Sequence, residues 1–295
     1  MKRALALLLC AVPAAARADV LPLTPAGSAY SDLSGAPLKA PEGVACGGRG
    51  YVVGADSANG RLVTWTFKDG ALTGGVPIRF PELGTPVRVQ IDSKGNVLSL
   101  DQRTRRIVRV GDQGKFGGFV QPRGVPPARG FFPVAFKLDA ADNIYLLDIA
   151  SARVVVLDAA GAFVRQLAEP AGATLSDIAV DAHGSILAVA GAHAVVYAAK
   201  VGAASFEPLS KGLRDYASFP SYVTTTAQGL IVLVDNHGNG LLVLGPDGSF
   251  LGRRLSIGWS EGLVYYPGQI CIDADGDIFV ADRGNNRVQA FTPAK

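Results

Sequence analysis

Several features are scarce in this chain of 295 residues, and each scarcity excludes a class of protein. A single methionine means that flexible core filler is little used. No window has a strong helical period, and no run reaches the about 18 apolar residues of a membrane-spanning helix. Charge is balanced, since removing Lys2, Arg3 and Arg17 of a predicted leader from 28 basic residues leaves 25, against 25 acidic ones. This balance argues against nucleic acid as a partner.

The first residues have the three parts of a secretory signal peptide, predicted over residues 1–18. Lys2 and Arg3 supply positive charge, a short apolar run follows, and Ala16 and Ala18 are the small residues of a cleavage site. The chain is therefore expected to be exported to the periplasm or the extracellular space. The rest, 48% hydrophobic with 36 glycines, is expected to form one turn-rich domain over residues 19–295.

Six short apolar segments recur along the chain, and five of them end in aspartate. Their last residues are separated by 45, 47, 42, 45 and 47 positions: Asp56, Asp101, Asp148, Ala190, Asp235 and Asp282. Periods of this length are typical of propellers and solenoids. Within each repeat, Gly/Asp turns separate four short strand-like segments, which predicts an all-β, six-bladed propeller of four-stranded antiparallel blades. Residues 19–40 have no repeat of their own and are predicted to supply the last blade's missing outer strand, closing the ring.

The segment from Gly276 to Phe291 resembles an NHL repeat, and an Asp-x4-Arg pair recurs through the chain. The pairs are Asp56/Arg61, Asp101/Arg106, Asp148/Arg153 and Asp282/Arg287; repeat four lacks both members, and repeat five has Gly240 in place of arginine. The resemblance implies a six-bladed propeller, used in this family mostly as an interaction platform and in a minority as an enzyme. We interpret the pairs as structural, with the arginine fixing the loop between strands two and three.

Two sets of residues are candidate binding groups. The first strand of each blade should line the central channel, with Gly43, Arg88, Ala135, Asp177, Tyr222 and Gln269 at equivalent positions, and Ala45, Gln90, Lys137, Ala179, Thr224 and Cys271 two residues on. Of these we select Arg88, Asp177, Tyr222 and Gln269. Long insertions on the loop-rich face add Arg129, Phe131, Trp259 and Tyr265.

Metal and disulfide chemistry stay open at this point. His193, His237 and Asp235 are a weak alternative metal set; the main prediction is no metal and no cofactor. Cys46 and Cys271 lie in channel strands of blades that become neighbours on closure. They could form a disulfide, or remain two buried thiols, because facing sheets lie about 10 Å apart.

The function predicted from these observations is a non-catalytic binding or scaffold module, expected to be monomeric. Its loop-rich face would meet a protein, peptide or glycan partner. The alternative is a lactonase-like propeller hydrolase or lyase with a site at the channel mouth near Glu42, Asp177, His193 and His237. Propeller lactonases, which are similar in architecture, hold a metal with Glu, Asn and Asp. Only Glu42 matches here, since blades five and six offer Ser221, Tyr222, Gly268 and Gln269.

Overall fold

Twenty-four β-strands make up almost all regular structure in a computed structural model, which describes residues 20–128 and 130–294. The predicted signal peptide at residues 1–18 and the candidate binding residue Arg129 lie outside this range. Four single-turn 3-10 helices occur in loops, at Gly48–Gly50, Ser57–Asn59, Asp112–Gly114 and Arg283–Asn285. No helix in the described ranges has the length and apolarity needed to cross a membrane.

The strands form six four-stranded antiparallel sheets, each one blade of a propeller. Blades one to three contain β2(Gly43–Cys46), β3(Tyr51–Asp56), β4(Arg61–Lys68), β5(Ala71–Ile78); β6(Pro86–Ile91), β7(Val97–Asp101), β8(Arg106–Val110), β9(Phe116–Phe119); and β10(Pro133–Leu138), β11(Ile144–Asp148), β12(Arg153–Leu157), β13(Phe163–Ala168). Blades four to six contain β14(Asp177–Val180), β15(Ile186–Ala190), β16(Val195–Ala199), β17(Glu207–Pro208); β18(Pro220–Thr225), β19(Ile231–Asp235), β20(Gly240–Leu244), β21(Phe250–Arg254); and β22(Ile270–Ile272), β23(Ile278–Asp282), β24(Arg287–Pro293), with β1(Leu23–Ala29) outermost. The predicted fold is confirmed.

The second strand of every blade is buried on both faces, which explains its continuous apolar sequence. In β7, β11, β15, β19 and β23 every residue is buried, Asp101, Asp148, Asp235 and Asp282 included. Each blade packs against two neighbours, so both faces of its middle strands contribute to the core. The terminal aspartates and Ser99 of β7 are the polar residues in these five strands, and they therefore need partners.

The ring is closed twice, at its rim and near its axis. At the rim, β1 pairs antiparallel with β24, from Leu23 opposite Pro293 to Ala29 opposite Val288, so the chain's head completes the sixth blade as predicted. Near the axis, a disulfide joins Cys46 of β2 to Cys271 of β22, with 5.8 Å between their Cα atoms. Inner strands converge on the axis and approach more closely than stacked sheets do, which allows the bridge.

Candidate site in the central channel

The inner strands of the six blades place the predicted channel residues around one axis. Gln269, just before β22, spans the channel: its Nε2 donates to the Val89 carbonyl at 2.7 Å, and its Oε1 accepts from the Val89 N–H at 3.1 Å. The crossing depends on Gly43, where an added Cβ would lie 3.2 Å from Gln269 Oε1 and 3.1 Å from the Val87 carbonyl oxygen. Because its amide is already bonded, Gln269 acts as a structural bridge between blades six and two.

A buried ionic cluster fills the other side of the channel. Lys137 Nζ lies 3.3 Å from Asp177 Oδ2, donates to the Val223 carbonyl at 3.3 Å, and sits 3.6 Å from the centre of the Tyr222 ring. The Val223 N–H donates to the same Asp177 oxygen at 3.0 Å. Asp177 Oδ1 is buried and has no hydrogen-bond partner. Asp177 and Tyr222 were predicted site residues; Lys137 was placed in the channel but not selected.

Arg88 brings a second cation to the channel from blade two. Its Cζ lies 5.9 Å from the centre of the Tyr222 ring, and its Nη1 donates to the neighbouring Val87 carbonyl at 3.0 Å. Its Nε is buried without a partner, and no carboxylate of the described chain forms an ion pair with it. An unpartnered buried polar group costs about 1–3 kcal/mol. The channel thus holds an unused donor on Arg88 and an unused acceptor on Asp177.

Below this layer the channel opens into a well of about 180 Å³. Most of its lining comes from the C-terminal halves of the inner strands, and Tyr222 and Gln269 lie at its inner end. The lining residues are Ala45, Cys46, Gln90, Ile91, Lys137, Leu138, Ala179, Val180, Tyr222, Thr224, Gln269, Ile270, Cys271 and Ile272. These residues approach the turns between strands one and two, so the well faces away from the long loops. The sequence hypothesis placed the mouth beside Glu42, on the opposite face, where Gln269 now spans the channel.

The candidate residues of the loop-rich face do not converge on the channel. Trp259 is 74% exposed, and its ring centre lies 6.0 Å from that of the half-buried Tyr265, in the insertion of blade six. Phe131 belongs to a different insertion and lines a second cavity, also about 180 Å³, with Arg105 and Arg106. The structure therefore brings Trp259 and Tyr265 together and leaves Phe131 apart.

The weak alternative metal set does not form a site. His193 and His237 are exposed, and the His237 ring packs between Phe219 and Tyr266, with ring centres 5.2 and 6.2 Å away. Asp235 is buried and already bonded. Its Oδ2 pairs with Arg253 Nη1 at 2.9 Å, and its Oδ1 accepts from the Phe219 N–H at 2.8 Å. Within residues 20–128 and 130–294, no three His, Cys, Asp or Glu side chains group as a metal site.

The ligand set of propeller lactonases does not fit either. Glu42 Oε1 is paired with Arg283 Nε at 3.3 Å, and the Asp177 carboxylate is held by Lys137. Blades five and six offer Ser221 and Gly268 where carboxylate or carboxamide ligands would be needed, and the Gln269 amide is bonded to Val89. A metal held by Glu, Asn and Asp therefore has no matching donor set in this channel, which presents cations instead.

The repeated aspartates act structurally, with two departures from the predicted pairs. Arg61, Arg153 and Arg287 bond Asp56, Asp148 and Asp282 through Nε at 2.5, 3.0 and 2.8 Å. The expected Asp101–Arg106 pair is wrong. Arg106 is exposed and stacks on Phe119, while Asp101 Oδ2 accepts from the Gly84 and Thr85 N–H groups at 2.7 and 2.5 Å.

In blade five, an arginine from the fourth strand replaces the one missing at Gly240. Arg253 reaches Asp235 because neither Gly238 nor Gly240 has a side chain. A Cβ at these positions would lie 2.7 and 3.0 Å from Arg253 Nη2. A search for the Asp-x4-Arg spacing does not find the Asp235–Arg253 pair, because the arginine lies 18 residues after the aspartate.

The model of the NHL repeat matches residues 264–291, the segment that carries Asp282 and Arg287. The chain is thus a six-bladed β-propeller that contains an NHL repeat, as the sequence resemblance implies. No curated protein matches the sequence.

Three solved structures illustrate its similarity to known propellers. Virginiamycin B lyase from Staphylococcus aureus has 14% identity and a TM-score of 0.64, over 92% of this chain and 98% of that one. A streptogramin B lyase has 15% identity and a TM-score of 0.63, over 91% and 87%. A gluconolactonase from Xanthomonas campestris has 13% identity and a TM-score of 0.68, over 92% and 89%.

These neighbours contradict the prediction of a non-catalytic binding module, since the three similar propellers named above are two lyases and a gluconolactonase. At this level of identity the similarity establishes the fold, while the activities are those of the other proteins. The comparison favours the enzymatic alternative of the sequence analysis.

Proposed function

We propose that this protein is an exported propeller hydrolase or lyase that opens a lactone or ester in its central channel. The observation that carries the proposal is the buried Lys137–Asp177 pair beside Tyr222, with the partly buried Arg88 on the same ring and unused hydrogen-bonding atoms on Asp177 and Arg88. Shared architecture with two lyases and a gluconolactonase over more than nine-tenths of the chain supports it.

Opening a lactone or ester requires a cation near the carbonyl oxygen and a group that accepts a proton. In hydrolysis, water adds to the carbonyl carbon, the acyl–oxygen bond breaks, and a carboxylate, a hydroxyl group and a proton result. In elimination, a carbon-bound proton is removed, the alkyl–oxygen bond breaks, and a carboxylate and a double bond result. Both routes develop negative charge on oxygen, which a fixed cation in a low-dielectric channel stabilises.

Lys137 is the residue that we assign to the oxygen, because its side chain lines the well. Asp177 is the one carboxylate of the six inner strands in the described chain, and its Oδ1 has no partner, so we assign it as the proton acceptor. Its Oδ2 holds the Lys137 ammonium, so the same residue fixes the cation. The site requires no metal ligand.

Turnover of lactones by the purified protein tests the proposal. Gluconolactone and quinupristin are suitable first substrates, because a gluconolactonase and a lyase crystallised with quinupristin share the fold. Lys137→Met and Asp177→Asn should each lower kcat/KM by about 100-fold or more, the usual cost of losing an electrostatic donor or a general base. Lys211→Met, at an exposed loop position, is the matched control and should leave turnover unchanged.

The product distinguishes the two reactions. In heavy-oxygen water a hydrolase gives a carboxylate that carries the label, whereas a lyase gives an unlabelled, unsaturated product. The absence of turnover on all lactones and esters tried, or turnover that Lys137→Met leaves at the wild-type level, would refute the assignment.

Export is part of the proposal and has its own support. The Cys46–Cys271 disulfide suits an oxidising compartment, such as the periplasm or the extracellular space. The mass of the protein recovered from its native host tests this, since cleavage after Ala18 would leave Asp19 as the first residue. An uncleaved chain retained in the cytoplasm would contradict it.

A further inference from the structure

The cavity beside Phe131 lies between blades two and three and shares no lining residue with the channel well. Its walls are mostly apolar side chains from β8, β10, β11 and the insertion that enters blade three, and two arginines complete the lining. The lining residues are Arg105, Arg106, Ile107, Val120, Gln121, Pro122, Phe131, Pro133 and Leu146. An apolar cavity of about 150 Å³ holds a benzene molecule, so this one, at about 180 Å³, has room for a single aromatic ring.

Both lining arginines are stacked on phenylalanine rings at the rim of this cavity. Arg105 Cζ lies 3.0 Å from the centre of the Phe132 ring. Arg106 Cζ lies 3.4 Å from the centre of the Phe119 ring. In the chain, Phe132 stands between two lining residues and Phe119 directly precedes a third, so the two guanidinium groups border the cavity. Stacking on a ring face leaves the N–H groups at the edge of a guanidinium available to an anion.

The described chain provides no acceptor for these N–H groups. Neither Arg105 nor Arg106 forms an ion pair or a side-chain hydrogen bond within it. Three neighbouring arginines differ, since each donates to a backbone carbonyl: Arg103, Arg109 and Arg123. Residues 102–130 contain seven basic residues and one acidic residue, Asp112, so the surroundings of the cavity are strongly cationic. A field of one sign attracts ligands of the opposite charge.

Both arginines depart from the pattern of the other blades. At the position of Arg106, blades one, three and six have an arginine that pairs with the buried aspartate. In blade two, Asp101 accepts instead from N–H groups and from the Thr104 hydroxyl. Arg105 has a left-handed backbone, with φ of 57°, where the other blades have small residues or asparagine: Gly60, Ala152, Ala194, Asn239 and Asn286. Blade two therefore presents two cations that no buried aspartate requires.

We propose that this cavity binds a small carboxylic acid with one aromatic ring, the ring among the apolar walls and the carboxylate on the guanidinium groups at the rim. Ligand sites are mostly apolar, with a few polar groups that fix orientation, and this cavity has that composition. The guanidinium fork matches the geometry of a carboxylate. The inference goes beyond the proposed activity, because the cavity and the channel have no lining residue in common.

Calorimetric titration of the purified protein with three probes tests the inference. Phenylacetate has the ring and the carboxylate, phenylacetamide has the ring without the charge, and acetate has the charge without the ring. We expect phenylacetate to bind about tenfold or more tightly than either of the others, because a hydrogen bond to a charged group contributes a factor of this order. Added salt should weaken the binding of phenylacetate and leave that of phenylacetamide unchanged, because the rim is exposed and salt screens exposed charges.

Variants of the rim and of the wall separate the two parts of the site. Arg105→Met and Arg106→Met should each weaken phenylacetate, and the double variant should bind it no more tightly than phenylacetamide. Both arginines are exposed, so these variants are expected to fold. Arg103→Met is the matched control, because Arg103 is an exposed arginine of the same loop that donates to the Pro81 carbonyl and does not line the cavity. It should leave the affinity unchanged. Phe131→Ala should weaken phenylacetate and phenylacetamide by the same factor and leave acetate unaffected.

Each other outcome overturns the inference. No binding of phenylacetate at millimolar concentration would refute it. Phenylacetamide binding as tightly would make the site an apolar cavity without charge selection, and acetate binding as tightly would make it a surface anion site. A loss in Arg103→Met as large as that in Arg105→Met would refute the assignment of the carboxylate to the rim. None of these measurements involves lactone turnover, so the inference and the proposed activity stand or fail separately.

Discussion

Removing the Cys46–Cys271 disulfide should destabilise the propeller substantially, and the size of the loss follows from chain length. The two cysteines are 225 residues apart in sequence. In the chain-entropy account, closing a loop of that length lowers the conformational entropy of the unfolded chain. This stabilises the folded state by about 5 kcal/mol at 25 °C. The Cys46→Ser/Cys271→Ser variant should therefore lose up to about 5 kcal/mol. With a urea m-value of about 3 kcal/mol/M, its midpoint should fall by about 1.5–2 M.

The assay is equilibrium urea unfolding, followed by fluorescence and circular dichroism, under oxidising and reducing conditions. The reduced wild type is the internal control, since it should unfold at the same midpoint as the serine variant if covalent constraint is the cause. Coincident midpoints for the oxidised wild type and the variant would refute the reasoning. They would mean that the β1–β24 pairing alone determines how firmly the first and last blades are joined.

Three further predictions address other parts of the structure. Arg253→Met should lower the free energy of unfolding, measured by thermal unfolding, by about 2 kcal/mol. This is less than the about 3–5 kcal/mol for a fully buried ion pair, because the Arg253 side chain is 31% exposed. Arg106→Met removes only the stacking on Phe119 and should cost about 1 kcal/mol or less. The hydroxyl of Ser34 and nearby N–H groups lower the pKa of Asp32 to about 2, so Asp32→Asn should be less stable than wild type above pH 4, with the gap closing as pH falls towards 2. Lactone turnover should survive exhaustive chelation, since the described channel lacks a metal-ligand set; its loss on chelation and return with metal would contradict the assignment of Lys137.

Much of the fold was predictable because its determinants are local and repeated. The aspartate that ends five of the six second strands recurs at nearly constant spacing, and each carboxylate proved to be buried and bonded to the loop entering the same blade, as Asp148 is to the Phe132 N–H at 2.8 Å. The absence of a repeat in residues 19–40 was enough to predict β1 as the strand that closes the ring.

The candidate site was only partly predictable, because it depends on how side chains of different blades meet. Strand alternation placed Arg88, Asp177, Tyr222 and Gln269 in the channel. It could not show that Gln269 would bond the backbone of blade two, or that Lys137 would extend to Asp177 in the next blade.

The amino-acid sequence by itself determined the blade count, the strand order and the residues that face the axis, since each follows from a period along the chain. Only the tertiary structure decided which end of the channel is filled and which is open, and which cation serves each buried aspartate. Those outcomes depend on contacts between residues far apart in the sequence, such as Val89 with Gln269 at a separation of 180 positions, and on the space left at Gly43 and Gly240. Local patterns contain no information about distances of that kind.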